Sequence, residues 1–161
     1  MIVDQELRVA NATTVRASNP DFSTEIDLTV SPELAHGTEI YAVIVVDSYT
    51  ANGSGSTTID IVTDANADFS GTNRVIGSKT LTTAQLEARD DDANKQPIVI
   101  RIEPDQEDEG GLVSSVNERY LGIKFTHADA TPSAFTVTAY FTTNYQSNPN
   151  HAYHASGSVI L

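Results

Sequence analysis

The chain has 161 residues, of which 39% are hydrophobic, and its formal net charge is −13. This length is enough for one domain with its own core, and the lack of cysteine excludes disulfides, thiolate zinc sites and cysteine nucleophiles. No apolar run approaches the ~20 residues of a membrane-spanning helix, and 22 Asp and Glu against nine Lys and Arg argue against nucleic-acid binding, so we expect neither partner.

Alternation of apolar and polar residues predicts several strands in the first part of the chain. Residues 1–9 are expected to form the first strand, and residues 24–30 the next. The continuous apolar run over 40–46 is typical of a central strand that is covered on both faces. Because alternation resumes after a Gly- and Ser-rich loop, residues 39–63 are predicted to form a wide hairpin.

The rest of the chain is also predicted to consist mainly of strands, with one short helix. Residues 64–71 are predicted to be a polar connection. Thr82 and Gln85 have the spacing of a capping box, which predicts a helix of about two turns. Further strands are predicted over 74–81, 97–103, 119–126 and 134–142. We expect the last two of these strands to pair with each other.

These elements together predict the fold class. Seven to nine strands with one short helix indicate an all-β protein, a jelly-roll-like sandwich. An immunoglobulin-like sandwich is the alternative, although the Cys-Trp-Cys signature of antibody domains is absent. We expect residues 1–142 to be a single sandwich domain. Residues 143–161 are rich in Asn, Ser, His and Tyr, which predicts an extended C-terminal arm.

The sequence contains two candidate metal sites. Residues 103–109 are the most acidic stretch, and three Asp residues lie at 90–92. Calcium prefers clustered carboxylates, but this spacing matches no known calcium loop, so a solvated loop is the favoured interpretation. His151 and His154 are three residues apart, and the Pro and Gly residues around them argue against the helix that would bring them together. We expect no metal and no cofactor.

Other candidate residues point away from catalysis. The chain has no nucleophile elbow, P-loop or dinucleotide fingerprint, so we expect no enzymatic activity and no catalytic residues. His36 and His127 are predicted to be surface histidines. Tyr41, Tyr120 and Tyr140 alternate with core residues, which predicts that they lie on outer or interface faces. Without tryptophan, they form a weak platform for sugar stacking.

Several segments, taken in order along the chain, carry a family resemblance. They are residues 1–7, 41–47, 56–63, 81–86, 98–102, 119–125 and 135–140. Their order resembles the capsid cement, or decoration, proteins of tailed bacteriophages, including the jelly-roll cement protein of a Bordetella podovirus. Each segment is ordinary β sequence, so the resemblance depends on their order. The acidic insert 104–111 and the tail after Thr142 are longer than is usual in this family.

The resemblance implies a virion protein on the outer surface of an HK97-like shell, synthesised in the cytoplasm of the host bacterium. Its partner would be the major capsid protein of the same phage, and it would staple neighbouring capsomers against the pressure of packaged DNA. Self-association as a dimer or trimer is expected as well. The rival interpretations are a carbohydrate-binding module and a calcium-dependent adhesion module.

Contacts with the shell or with a second copy are predicted at both termini and at the sheet tyrosines. The predicted residues are Ile2, Val3, Leu7, Tyr41, Tyr120, Tyr140, Tyr145, His151, Tyr153 and Ile160. Terminal arms are suited to this role because they can cross a boundary between capsomers. For the N-terminal residues, an ordinary strand within the domain is an equally good interpretation.

Overall fold

The computed structural model describes residues 8–16, 18–28, 40–91, 95–102 and 119–142. They form two antiparallel sheets and one helix. The strands are β1 (Arg8–Thr14), β2 (Asp21–Phe22), β3 (Ile26–Asp27), β4 (Ile40–Thr50), β5 (Ser56–Asp64), β6 (Arg74–Thr82), β7 (Ile98–Ile102), β8 (Tyr120–Ala128) and β9 (Ala134–Thr142). The helix is α1 (Thr83–Asp90).

The strands pair as one long hairpin that is folded over into two sheets. β1 pairs with β9, β2 and β3 pair with β8, β4 pairs with β7, and β5 pairs with β6. The four-stranded sheet has the order β1-β9-β4-β7, and the five-stranded sheet has the order β2-β8-β5-β6 with β3 also on β8. When β2 and β3 are counted as one interrupted strand, eight strands form two nested Greek keys. The predicted jelly-roll-like sandwich is confirmed.

The immunoglobulin-like alternative is wrong for a topological reason. In that fold the first strand pairs with the second, within the same sheet. Here β1 pairs with β9, the last described strand, and β2 belongs to the other sheet.

Two predicted pairings are also wrong. Residues 39–63 do not form a hairpin, because β4 and β5 lie in different sheets. The predicted strands 119–126 and 134–142 do not pair with each other, since β8 and β9 are separated in the same way. The connections 51–55 and 129–133 therefore cross from one sheet to the other. Alternation identifies the buried side of a strand, but it does not identify the neighbour, and both sheets have an apolar inner face.

The observed strand bounds differ most from the predicted ones near the N-terminus. The described part of the first strand runs from Arg8 to Thr14, past the predicted end at residue 9. In the predicted strand 24–30, only Ile26 and Asp27 pair with β8, and residues 29–30 lie outside the described residues. β6 and β7 agree with their predicted ranges. The predicted arm 143–161 lies wholly outside the described residues.

The core lies between the two sheets and is built by alternate residues of each strand. On β9, Phe135, Val137, Ala139 and Phe141 are buried and the residues between them are half-buried. β4 has β9 and β7 as neighbours, and even Val43 on its outer side is 1% exposed. The prediction of a central strand that is covered on both faces is confirmed at this position.

The predicted capping box forms at the start of α1. The Thr82 N–H donates to Gln85 Oε1 at 3.0 Å, and the Gln85 N–H donates to Thr82 Oγ1 at 3.4 Å. These bonds satisfy two N–H groups that a helix start leaves without partners. Leu86 is fully buried, and Asp90 accepts a hydrogen bond of 3.0 Å from the Tyr49 N–H. The helix is therefore anchored to β4 at its C-terminal end.

Candidate interaction surfaces

Tyr41 and Tyr140 lie together on the outer face of the four-stranded sheet. Tyr41 is opposite Thr142, and Val43 is opposite Tyr140, so the two tyrosines are diagonal neighbours on one face. Side chains in this relation are within reach of each other when one is aromatic. Both tyrosines are half-buried. The predicted outer-face position of these two residues is confirmed.

The surroundings of this pair, which we call the tyrosine face, are apolar in the middle and basic at the sides. Val43 and Val45 follow Tyr41 along the outer side of β4. Arg101 of β7 is opposite Tyr41, and Arg8 of β1 is opposite Tyr140. Both arginines therefore lie on edge strands of the described sheet. Aromatic residues and arginine are the residue types that protein interfaces favour.

Tyr120 lies on the opposite side of the sandwich, on the outer face of the five-stranded sheet. Its strand neighbours are Asp27 and Asp64. The Arg119 guanidinium is 5.0 Å from the centre of the Tyr120 ring, and Arg119 Nε donates to Asp27 at 3.1 Å. The hydrogen bond to Asp27 raises the pKa of Arg119. Tyr120 is thus on an outer face as predicted, but in a charged environment away from the other two tyrosines.

The outer face of the five-stranded sheet is covered by part of its own chain. Residues 64–73, which we call the covering loop, place Phe69 over Gly122 of β8. The Phe69 ring stacks on Phe22 with centroids 5.3 Å apart and is only 4% exposed. Val62, which lies beside Gly122 in the register, is fully buried. This face therefore has a small apolar cluster of its own outside the main core.

Polar groups hold the covering loop in place. The buried Asp64 carboxylate accepts hydrogen bonds from the Asn66 N–H at 2.8 Å and from Asn73 Nδ2 at 2.7 Å. Asn73 Nδ2 also donates to the Phe69 carbonyl at 3.1 Å. Phe69 has a φ of 54°, a left-handed conformation that is costly for a bulky residue. Packing and these bonds together offset that cost.

The sequence prediction of a polar connection over 64–71 missed this cluster. One signal was present, because Phe69 is the only aromatic residue in a polar stretch. The spacing of Asp64 to Asn66 and of Asp68 to Ser70 is also typical of Asx turns, which order a loop locally.

His127 is buried, so the prediction of a surface histidine is wrong. It is 5% exposed on the inner face of β8. Nδ1 is 3.0 Å from Thr57 Oγ1, and Nε2 is 3.0 Å from the Val15 carbonyl oxygen. The residue follows the apolar Phe125 at the spacing of two that places both on the core side. His36 lies outside the described residues.

Several predicted sites lie outside the described residues. They are Ile2, Val3, Leu7, Tyr145, His151, Tyr153, Ile160 and the acidic stretch 103–109. Within the part of the chain that the structure describes, no group of three or more His, Cys, Asp or Glu side chains is arranged to hold a metal ion. The one described helix has eight residues, and none in that part is long and apolar enough to span a bilayer.

Comparison with known proteins adds no family assignment. No protein-family model matches the chain, and no curated protein is significantly similar to it. The jelly-roll topology and the contrast between its two outer faces are therefore the structural basis for a functional proposal.

Proposed function

We propose that this chain is a structural virion protein. It is a cement protein that binds the outer surface of an HK97-like phage shell and staples neighbouring capsomers. The observation that carries the proposal is the jelly-roll pairing, because the family that the sequence resembles has that fold. Six of the seven segments in the resemblance fall on β4, β5, the β6–α1 junction, β7, β8 and β9. A fold by itself hosts many functions, so the proposal needs a direct binding test.

The bulk properties of the chain suit this role. Cementing requires binding without chemical conversion, and weak contacts gain strength when many identical copies are held on one shell. A symmetric dimer or trimer allows one surface to serve several capsid subunits. A net charge of −13 disfavours contact with the genomic DNA during assembly.

We assign the tyrosine face to the contact with the major capsid protein. Tyr41 and Tyr140 supply a large contact area at a low cost in side-chain entropy, and Arg8 and Arg101 supply charged groups beside them. The opposite outer face fits this role less well, since Tyr120 lies there among charged groups, beside Asp27, Asp64 and Arg119. The contacts predicted at Tyr120 and at the termini remain predictions, and the terminal residues, which lie outside the described part of the chain, are Ile2, Val3, Leu7, Tyr145, His151, Tyr153 and Ile160.

The first test is co-sedimentation with phage capsids that lack the protein, followed by heating of the pelleted particles. We expect saturable binding and a higher temperature of capsid rupture. Protein that stays folded in the supernatant at saturating concentration contradicts the proposal. In that case, binding on a glycan array favours a carbohydrate-binding module, and a melting temperature that chelator lowers favours a calcium-dependent adhesion module.

A matched pair of variants tests the assigned face. Tyr41→Ser combined with Tyr140→Ser is expected to lower capsid occupancy at least about tenfold, as loss of hot-spot tyrosines does elsewhere. Tyr120→Ser makes the same chemical change on the opposite face and is expected to leave most of the binding intact. If Tyr120→Ser lowers occupancy and the double variant does not, the capsid contact lies on the five-stranded sheet instead. If deletion of residues 143–161 leaves capsid occupancy unchanged, the predicted contact of the C-terminal arm with the shell is wrong.

A further inference from the structure

The connection 51–55, which carries the chain from β4 to β5, is held at both ends. At one end, the Thr50 carbonyl accepts a hydrogen bond of 2.9 Å from the Ser133 N–H. At the other end, the Gly55 carbonyl accepts from the Thr83 N–H at 3.0 Å and from the hydroxyl of the same residue at 3.2 Å. These bonds fix the two ends of the connection and leave its middle to be considered separately.

Asn52 and Gly53 form the middle of this connection, and both are exposed. Within the described residues, neither the Asn52 side-chain amide nor the Gly53 N–H has a hydrogen-bond partner. A Cβ added to Gly53 would have one neighbour within 4 Å, the Ala130 Cβ at 3.8 Å. Gly53 has a φ of 103°, a conformation that glycine adopts without strain. The described residues therefore place little restraint on the peptide group between Asn52 and Gly53.

An asparagine that precedes glycine can lose its side-chain amide without an enzyme. The backbone nitrogen of the glycine attacks Cγ of the asparagine, and the new C–N bond closes a five-membered succinimide ring. The bond from Cγ to the amide nitrogen breaks, and this nitrogen leaves as ammonia with the proton of the backbone N–H. Water then opens the ring at either carbonyl to give aspartate or isoaspartate. Water is the only co-reactant, and glycine favours the attack because it has no Cβ to hinder rotation of the backbone.

The other asparagines in the described residues lack this combination of features. Of all the asparagines in the chain, Asn52 alone precedes a glycine. Asn19 precedes a proline, which has no N–H, and both polar atoms of its side-chain amide are bonded to the His127 backbone. Asn73 Nδ2 donates to the Asp64 carboxylate at 2.7 Å. Sequence and exposure therefore coincide at one position.

We propose that Asn52 is a site of spontaneous deamidation in the folded protein. The reaction converts the chain to aspartyl and isoaspartyl forms, each of which carries one more negative charge than the parent chain. In the isoaspartyl form, the backbone between the fixed ends at Thr50 and Gly55 is longer by one methylene group. The modification is independent of the proposed cement function.

The test incubates the full folded chain at pH 8.5 and 37 °C and follows each asparagine by peptide mapping with mass spectrometry. Deamidation replaces an NH₂ group by OH, so every event changes the mass of one peptide and adds an acidic form in ion-exchange chromatography. We expect Asn52 to react at least about tenfold faster than Asn11, Asn66 and Asn73, because only Asn52 precedes a residue without Cβ. Similar rates at all four positions overturn the proposal.

A denatured sample separates the effect of the fold from that of the sequence. In guanidinium chloride at the same pH, Asn52 reacts at the rate of an unrestrained Asn-Gly pair. We expect a comparable rate in the folded chain, because the described residues place little restraint on this peptide group. If Asn52 stays intact in the folded chain while the denatured chain is converted, the proposal is wrong.

Asn52→Gln is the matched variant. Glutamine keeps the amide but has one more methylene group, so attack by the same nitrogen would have to close a six-membered ring. We expect the acidic forms seen with the parent chain to be absent over the same time. Acidic forms that accumulate equally fast in Asn52→Gln place the reaction elsewhere and overturn the proposal.

Discussion

The two outer faces of the sandwich differ in the residues that lie over their apolar centres. On the five-stranded sheet, the covering loop lays Phe69 over Gly122 and beside Val62, so the chain buries its own outer apolar residues. On the tyrosine face, Tyr41 and Tyr140 remain half-buried on a sheet flanked by arginines. Outer residues of the first face therefore act mainly on stability, and we expect those of the second to act mainly on association.

Removing the Phe69 ring should give the largest loss of stability among the variants that test this difference between the faces. Phe69→Ala deletes a nearly buried aromatic side chain and uncovers Val62 and Phe22, so we expect a loss of about 3 kcal/mol in the free energy of unfolding. Denaturant titration measures it. Val75→Ala, at a position that is 49% exposed, is the control and should cost less than about 0.5 kcal/mol. Similar losses at both positions contradict a stabilising role for the covering loop.

Gly122→Ala disturbs the same contact between Phe69 and Gly122, this time from the β8 side. A Cβ at this position overlaps with the Phe69 ring, so we expect a loss of about 2 kcal/mol. The double variant with Phe69→Ala checks the cause. Once the ring is gone, the added methyl should cost much less than it does in the parent chain. Additive losses instead place the strain somewhere other than this contact.

Tyr140→Ser tests whether the tyrosine face contributes less to stability than the covering loop does. Tyr140 lies on the outer side of β9 and is half-buried, so we expect a loss of no more than about 1 kcal/mol, measured in the same titration. A loss as large as that of Phe69→Ala assigns the tyrosine face a structural role.

The smallest expected effect concerns Asp68 in the covering loop. Hydrogen bonds from the Ser70 side chain and backbone N–H lower the pKa of Asp68 from its usual 3.8. A lowered pKa in the folded state gives stability that is present above pH 3.8 and lost as the pH falls through the folded value. Asp68→Asn should therefore lower the melting temperature slightly at pH 6, and this difference should disappear near pH 2. A difference that persists at pH 2 indicates a cause other than ionisation.

Local rules predicted the elements well because their causes are local. Alternation on β9, the apolar run of β4 and the Thr82–Gln85 capping box depend on residues within one strand or one turn. The outer-face positions of Tyr41, Tyr120 and Tyr140 followed from the same alternation. Neither the covering loop nor the buried His127 was found. Phe69 packs on Gly122 and Phe22, which are far away in the chain, whereas the spacing of His127 from Phe125 already placed it on the core side.

The sequence by itself determined that the chain forms a β-sandwich with one short capped helix, because period-two patterning and capping chemistry act over a few residues. Only the tertiary structure decided which strands pair. Two inner faces of the same apolar character accept either hairpin or crossed connections, and burial of the whole core favours the jelly roll. It also decided that Tyr41 and Tyr140 lie on one outer face and Tyr120 on the other, because that depends on which sheet each strand joins.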